Sequence, residues 1–313
     1  MEFRSAEPKV GIVLVTYTDE EHLDILFSSL RNQSYGNFQV ILVDNASRDH
    51  SIAKAKTLCP ECLILGLDDN AGFAKASNRG AALAIEVSCQ NIFVLNNDVE
   101  LEPDCLKELV SLLESDPHMA CVGPIIFKGR KNARPFIQEY GGRIDFDNYI
   151  VKKNYVGYPF EPSAAFPDIL ESDFIMGGSL LIRADIVQKI GLFDERYFMY
   201  GDEIDLFYRL RRLGLRTAVT KEARLWHDHY SAERNPKRYC FERYYSVRNK
   251  YLYFWKHGMW TGFFRASLKD LILAPLYYKG YLKKGRFAVL WHHYRGLLDG
   301  LRNQAGKAHH IFA

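Results

Sequence analysis

The sequence predicts an α/β protein built on a mostly parallel central sheet flanked by helices, with a basic, aromatic helical appendage at its C-terminal end. Three observations carry this. Short β-branched apolar runs alternate with helical-period segments through the first hundred residues, the pattern of a parallel sheet with right-handed crossovers. Each run stops at a polar cluster: Thr16-Tyr17-Thr18, Asp44-Asn45, Asp68-Asp69-Asn70 and Asn96-Asn97-Asp98. In such sheets the carboxyl ends of the strands form the ligand edge. Finally, Ser231–Ala313 carries 16 Lys and Arg against four acids, a net +12 within a chain total of +3, which leaves −9 in front of it. Two regions with different partners are implied.

The elements follow in order. Val10–Val15 is the first strand, and Leu23, Leu26, Phe27 and Leu30 give His22–Asn32 helical spacing. Phe38–Val43 is the second strand, with Ser47 or Asp49 as N-cap of the helix after it. Leu63–Leu67 is a third strand, a turn runs through Asp68–Phe73, and Lys75–Glu86 is an Ala-rich helix. Ile92–Leu95 is the fourth strand. The Asn96-Asn97-Asp98 cluster at its end reads either as a hard-cation or ligand site or as an Asx-rich turn. Glu100, Glu102 and Asp104 read as a solvated face, and Pro103 opens a helix through Leu113.

Beyond it, Ala120–Phe127 reads as a strand, and Gly129–Phe166 as an irregular insertion. Phe174–Ile182 is an apolar segment interrupted by Gly177-Gly178, which suits either close backbone approach to a ligand or tight packing. Ala184–Ile190 is a short helix. Asp202-Glu203-Ile204-Asp205 then opens a helix through Leu206–Leu213. Three acids in four residues exceed what capping needs, and like charges this close raise one carboxyl pKa, which suits a general base. Arg216–Val219 and Ala223–Trp226 read as edge strands, followed by His227, Asp228 and His229.

Composition sets the limits. With 313 residues, 48% hydrophobic and 25% charged, the chain can bury one large α/β domain plus an appendage. No uncharged apolar run approaches the roughly 18–20 residues of a spanning helix, and Met1–Lys9 has no signal-peptide core, so a cytosolic or peripheral protein is expected. The six cysteines are scattered; Cys59-Pro-Glu-Cys62 has no second pair at zinc-site spacing, and reduced thiols are expected. No G-x-G-x-x-G or P-loop accompanies the strand ends, which argues against dinucleotide and P-loop sites.

The segments VTYTDEE, VDNASRD, DNAGFAKASNRG, LNNDVELEPD, MGGSLLIR, FDERYFMYGDEIDLFYRLRRLG and WHDH occur in that order. Together they resemble the family 2 glycosyltransferases of GT-A fold, the rhamnosyltransferase-like and galactofuranosyltransferase-like members most of all, over about Val10–Gly258. The resemblance implies a catalytic domain over 1–238, with a nucleotide half at about 8–100 and an acceptor half at about 101–238, and a tail over 239–313. It places Thr16, Tyr17, Asp44, Asn45, Asn70, Gly72, Phe73, Asn78, Asn97 and Asp98 around a nucleotide-sugar. It places Asp98, His227 and Asn96 at a divalent cation, Mg²⁺ or Mn²⁺, and Gly177, Gly178, Asp205 and Trp226 on the acceptor side. Glu203 matches the inverting base, with Asp202 as the alternative, because the pair reads Asp-Glu where many relatives have Glu-Asp. Asn96 stands where the family has an acidic ligand.

The expected function is therefore an inverting, metal-dependent transfer of a sugar from dTDP-rhamnose or a UDP-sugar to a hydroxyl of a growing, lipid-linked cell-surface glycan. The alternative is a non-catalytic sugar-nucleotide-binding subunit of a glycan assembly complex. The basic aromatic tail carries no nucleic-acid motif. Its mixture of rings and cations suits the anionic inner face of the cell membrane, with Gly258–Leu282 as the main contact. A helical cap on the catalytic domain or a homo-oligomer interface is the alternative.

Overall fold

The computed structural model describes residues 7–132, 134–161, 166–228, 236–282 and 287–308. Four strands, β1 (Val10–Thr16), β2 (Phe38–Asp44), β3 (Leu63–Gly66) and β4 (Asn91–Leu95), pair in parallel in the order β3-β2-β1-β4. The interior strands β1 and β4 are buried almost throughout, as expected for strands covered on both faces. Between these strands run α1 (Leu23–Arg31), α2 (Ser51–Leu58) and α3 (Phe73–Glu86). Gly80 lets α3 lie close on the sheet, since a Cβ there would stand 2.4 Å from Val13 Cγ1.

The remaining strands are mostly antiparallel additions. After β5 (Val99–Leu101) and α4 (Cys105–Glu114), β6 (Met119–Lys128) crosses the sheet and pairs with β7 (Ile137–Glu139). The segment expected to be irregular thus contributes β7 and the hairpin β8 (Gly142–Asp145) with β9 (Ile150–Lys153). Next come β10 (Ile169–Glu171), β11 (Ser179–Arg183), α5 (Ala184–Ile190), α6 (Asp202–Arg212) and β12 (Arg216–His227). The sheet order is β10-β12-β6-β11-β4-β1-β2-β3. One correction to the sequence reading follows: the two expected edge strands are one strand, β12, with an irregularity between Thr220 and Arg224, lying inside the sheet between β10 and β6. Of the apolar segment Phe174–Ile182, the part from Ser179 forms β11.

The helical region packs into the core instead of standing apart. In α7 (Pro236–His257), Tyr251, Leu252, Tyr253 and Phe254 are fully buried and belong to the main apolar cluster. Then α8 (Trp260–Tyr277), α9 (Lys279–Leu282) and α10 (Ala288–Leu301) complete it, α10 lying along α7. No helix among the described residues is long and apolar enough to cross a membrane. The expectation of reduced thiols fails at one place: Cys59 and Cys62 form a disulfide, because the C-x-x-C turn between α2 and β3 brings both sulfurs within bridging reach. Cys89, Cys105, Cys121 and Cys240 are free and buried.

Candidate active site

Parallel register puts the polar clusters side by side. Thr16 pairs with Asp44, Asp44 with Gly66, and Leu14 with Leu95, so the ends of β3, β2, β1 and β4 form one row. In that row Tyr17 is about half exposed and Thr16 is fully buried. The Thr16 hydroxyl and the Asn97 side-chain oxygen are both buried without a hydrogen-bond partner among the described residues. Asp44 accepts the Ser47 amide N–H at 2.8 Å, closing the turn after β2. Asn97 donates to the Val15 carbonyl at 2.8 Å, tying β4 to β1.

Several asparagines expected around a nucleotide use their amide groups on the scaffold. The Asn45 amide donates to Asn70 Oδ1 at 3.1 Å while its own Oδ1 accepts the Ala71 N–H at 2.8 Å, and Asn70 Oδ1 also accepts the Gly72 N–H. Together they shape the loop before α3. Asn78 brackets Phe193, donating to its carbonyl and accepting its N–H. Gly72, at φ +84°, touches the next layer: a Cβ would stand 2.2 Å from the Phe198 carbonyl oxygen, which accepts the Phe73 N–H at 2.9 Å. The donor-side loop therefore rests on the segment leading into α6.

Asp98 lies across the sheet edge from the end of β12. His227 faces Val99 in the β5–β12 register, and the Asp228 N–H donates to the Asp98 carbonyl at 2.8 Å. Backbone thus brings Asp98 Oδ1 to 3.1 Å from His227 Nε2, while Gln138 Nε2 lies 2.8 Å from His227 Nδ1 and orients the buried ring from behind. Asn96, the third residue expected at a cation, is turned onto β11. Its Oδ1 lies 2.0 Å from where a Cβ on Gly178 would be, so the glycine exists to admit this side chain. No cluster of three or more His, Cys, Asp or Glu among the described residues could hold a metal. The second histidine of the sequence motif, His229, lies outside the described residues.

The acid pair opens α6 after two consecutive left-handed residues, Tyr200 at φ 69° and Gly201 at φ 81°. Asp202 is buried, and burial, followed by the charge of Glu203, pushes its carboxyl well above the usual carboxylate range. Among the described residues no donor reaches Asp202 Oδ2. A proton kept on Asp202 gives that buried carboxyl a donor in place of a buried charge. Glu203 is partly exposed, accepts the Gly201 N–H at 3.1 Å, and lies with its Cβ 3.7 Å from where a Cβ on Gly177 would be. Glu203 thus lies beside Gly177, and the next residue, Gly178, lies against Asn96, two positions before Asp98.

Two residues expected on the acceptor side are buried in the scaffold. Asp205 is fully buried and gripped by Arg209, Lys256 and His257, each at 2.8 Å. It faces away from Glu203 because it stands two positions on along the helix. Trp226 is buried against Phe127, with its indole N–H donating to Glu102. Glu139 was missed: it is buried, accepts the Met176 N–H at 2.8 Å and pairs with Lys153 at 2.6 Å. The sequence around it, Ile137-Gln138-Glu139, gives no signal of this.

A sequence model described as glycosyl transferase family 2 matches residues 11–191. The N-acetylglucosaminyl-diphospho-decaprenol L-rhamnosyltransferase of Mycobacterium tuberculosis (strain ATCC 25618 / H37Rv) is 25% identical over 285 residues, 87% of this chain and 91% of that protein. The O-antigen biosynthesis protein RfbC of Myxococcus xanthus is 28% identical over 233 residues, covering 72% of this chain but 18% of that protein. Among solved structures, GalNAc-T7 with UDP, GalNAc and Mn²⁺ aligns with a TM-score of 0.58 at 16% identity, over 79% of this chain and 51% of that one. The mannosyltransferase PcManGT from Pyrobaculum calidifontis, in complex with GDP-Man and Mn²⁺, aligns at 0.56 and 13% identity, over 95% and 76%. These likenesses show the GT-A fold.

Proposed function

The chain belongs to glycosyl transferase family 2, and from that premise we propose that it transfers a sugar from a nucleotide diphosphate to an acceptor hydroxyl with inversion, Glu203 acting as the base. The observation that carries this is the division of labour in the acid pair. Asp202 is buried, and burial followed by the Glu203 charge pushes its carboxyl well above the usual range, whereas Glu203 is partly exposed beside Gly177. An ionised carboxylate at that place can take the proton of an incoming hydroxyl. Tyr17 and Asp44, after β1 and at the end of β2 in the same row, would hold the nucleoside.

The donor set fits a divalent cation bound by few protein groups: one carboxylate and one imidazole, with the Asn97 oxygen buried and unpaired nearby. Asp98 and His227 would hold Mg²⁺ or Mn²⁺, leaving the other positions to diphosphate oxygens. When bound, such an ion stabilises the negative leaving group as a Lewis acid. The donor we propose is dTDP-rhamnose or a UDP-sugar, in keeping with the rhamnosyltransferase relative. The direct test is a thermal-unfolding screen of nucleotide-sugars with and without Mn²⁺. A true donor raises the midpoint by mass action, about 2.7 kcal/mol at a hundredfold excess over Kd, and more with Mn²⁺ than without. A screen in which none shifts the midpoint would count against the reading.

We further propose that the acceptor is lipid-linked and that the enzyme works on the inner face of the cell membrane through α8. Phe264, Leu268, Leu271, Ile272, Leu276 and Tyr277 are all more than half exposed, with Trp260 heading the same stripe. Arg265, Lys269 and Lys279 are exposed beside them. Fully burying one such apolar side chain is worth about 1.5–3 kcal/mol, and a cation near an anionic surface about 1 kcal/mol. The protein is expected to sediment with vesicles containing anionic lipid at low salt, and Phe264→Glu with Leu271→Glu to abolish this. Failure to bind such vesicles at low salt would defeat the membrane proposal.

A further inference from the structure

We propose that Asn249, on α7 and outside the matched family segment, is a positioning residue for the base, acting through the Tyr200–Gly201 peptide group. This rests on the assignment of Glu203 as base. One face of that peptide belongs to each partner: the Tyr200 carbonyl accepts from Asn249 Nδ2 at 2.7 Å, and the Gly201 N–H donates to Glu203 Oε2 at 3.1 Å. Asn249 also donates to the Met199 carbonyl at 2.8 Å.

The orientation of the Asn249 amide is dictated by its surroundings. Its Oδ1 accepts two hydrogen bonds from Arg248, from Nε at 2.9 Å and Nη2 at 2.8 Å. A guanidinium has only donors, so the amide must present its NH₂ group to the carbonyls of residues 199 and 200. Arg248 is itself fixed: it is buried, lies 4.7 Å over the Tyr245 ring and donates to the Gly306 carbonyl. Both Asn249 and Arg248 are withdrawn from water, which is costly for such groups unless every partner is in place.

The backbone being held needs holding. Tyr200 and Gly201 are successive left-handed residues, and a side chain at φ near +69° is disfavoured for a tyrosine. Released from Asn249, the peptide can rotate, and its N–H turns away from Glu203. A carboxylate that loses an N–H donor keeps its proton to higher pH. The other ionisable groups facing Glu203 are Asp202 on the same helix, Glu139 on β7, Tyr149 from the β8–β9 hairpin and Tyr200.

The test compares Asn249→Asp with Asn249→Ala. Asp keeps the pair with Arg248 and the shape but cannot donate; Ala removes both without adding charge. Both are expected to cut kcat for dTDP-rhamnose turnover about 100-fold with the Kd for dTDP in Mn²⁺ unchanged. In both, the acidic limb of the pH–rate profile moves up by about half a unit, and amide exchange over residues 199–203 speeds up about tenfold. A folded variant with wild-type kcat overturns the proposal, and so does lowered kcat with an unmoved limb, which a packing role alone would give. If only Asn249→Asp moves the limb, added charge is the cause and the proposal also fails. A wild-type protein inert toward nucleotide-sugars would instead sink the functional reading, and the exchange measurement then decides the clamp by itself: unchanged exchange in both variants overturns it.

Discussion

Glu203→Gln is expected to lower sugar transfer by about 10³-fold, within the range that loss of a positioned general base costs, while leaving the donor-induced thermal shift in place. The substitution keeps the length of the side chain and its acceptor oxygen toward the Gly201 N–H, so the local fold has little reason to change. What it removes is the ability to accept a proton in the cleft. Asp202→Asn is the informative partner. Asp202 is buried and holds its proton well above the usual carboxylate range because of burial and the neighbouring Glu203 charge, and an Asn amide can replace its O–H donor to Glu203. Substantial transfer should therefore survive in Asp202→Asn. Measured initial rates under saturating donor separate the two roles: if Glu203→Gln turns over like wild type and Asp202→Asn does not, the assignment is reversed.

Asp202 also fixes the sign of a stability effect. Its folded-state pKa is raised, so the folded form binds the proton more tightly than the unfolded chain. The stability this gives is complete below the ordinary Asp pKa of about 3.9 and is lost as pH rises toward the folded value. Removing the titrating group should accordingly make Asp202→Asn gain thermal stability over wild type at alkaline pH, with the difference shrinking under acid conditions.

The strand ends were legible because the parallel sheet writes itself plainly: β1 and β4 are buried almost throughout, so their apolar runs are uninterrupted and their polar ends abrupt. Register then did the rest, aligning Thr16 with Asp44. Less legible was what each polar side chain does there. Asn45, Asn70, Asn78 and Asn97 share a residue type and all bond the scaffold, but only Asn97 leaves its side-chain oxygen buried and without a partner among the described residues, which nothing in the sequence reveals. Asp205 was misjudged because an acid next to acids looks like part of the site, whereas the helix turns it into a cage of Arg209, Lys256 and His257.

The tail shows the same limit from the other side. Its aromatic residues look alike in sequence, but Tyr244, Tyr245, Tyr251, Tyr253 and Phe254 are packed inside, while the stripe on α8 faces out. A hint of the Asn249 clamp was present: Phe241, Tyr245, Arg248 and Leu252 recur at helical spacing, which puts an arginine where a core side chain is expected. Read that way, Arg248 announces a buried polar network in α7, although not what it holds.

Asp98→Asn should remove the Mn²⁺-dependent part of donor binding and lower transfer by about 10³-fold, the scale of several kcal/mol that a Lewis acid contributes to a charged leaving group. The choice of Asn is deliberate. It keeps the size of the side chain and a hydrogen-bonding oxygen, and the backbone bond from the Asp228 N–H to the residue 98 carbonyl is untouched, so β5 and the end of β12 should keep their places. What is lost is one of the two protein groups, Asp98 and His227, that stand 3.1 Å apart at the sheet edge. Of the acids beside Asp98, Asp228 is already paired with Arg130 at 2.7 Å. His227→Gln should give a smaller loss, because the carboxylate then remains. Direct titration of Mn²⁺ by electron paramagnetic resonance, in the presence of a nucleotide diphosphate, reads the effect without relying on turnover. Wild-type Mn²⁺ affinity in Asp98→Asn would mean that the cation, if one is used, sits elsewhere, and the arrangement of donor and base would have to be redrawn.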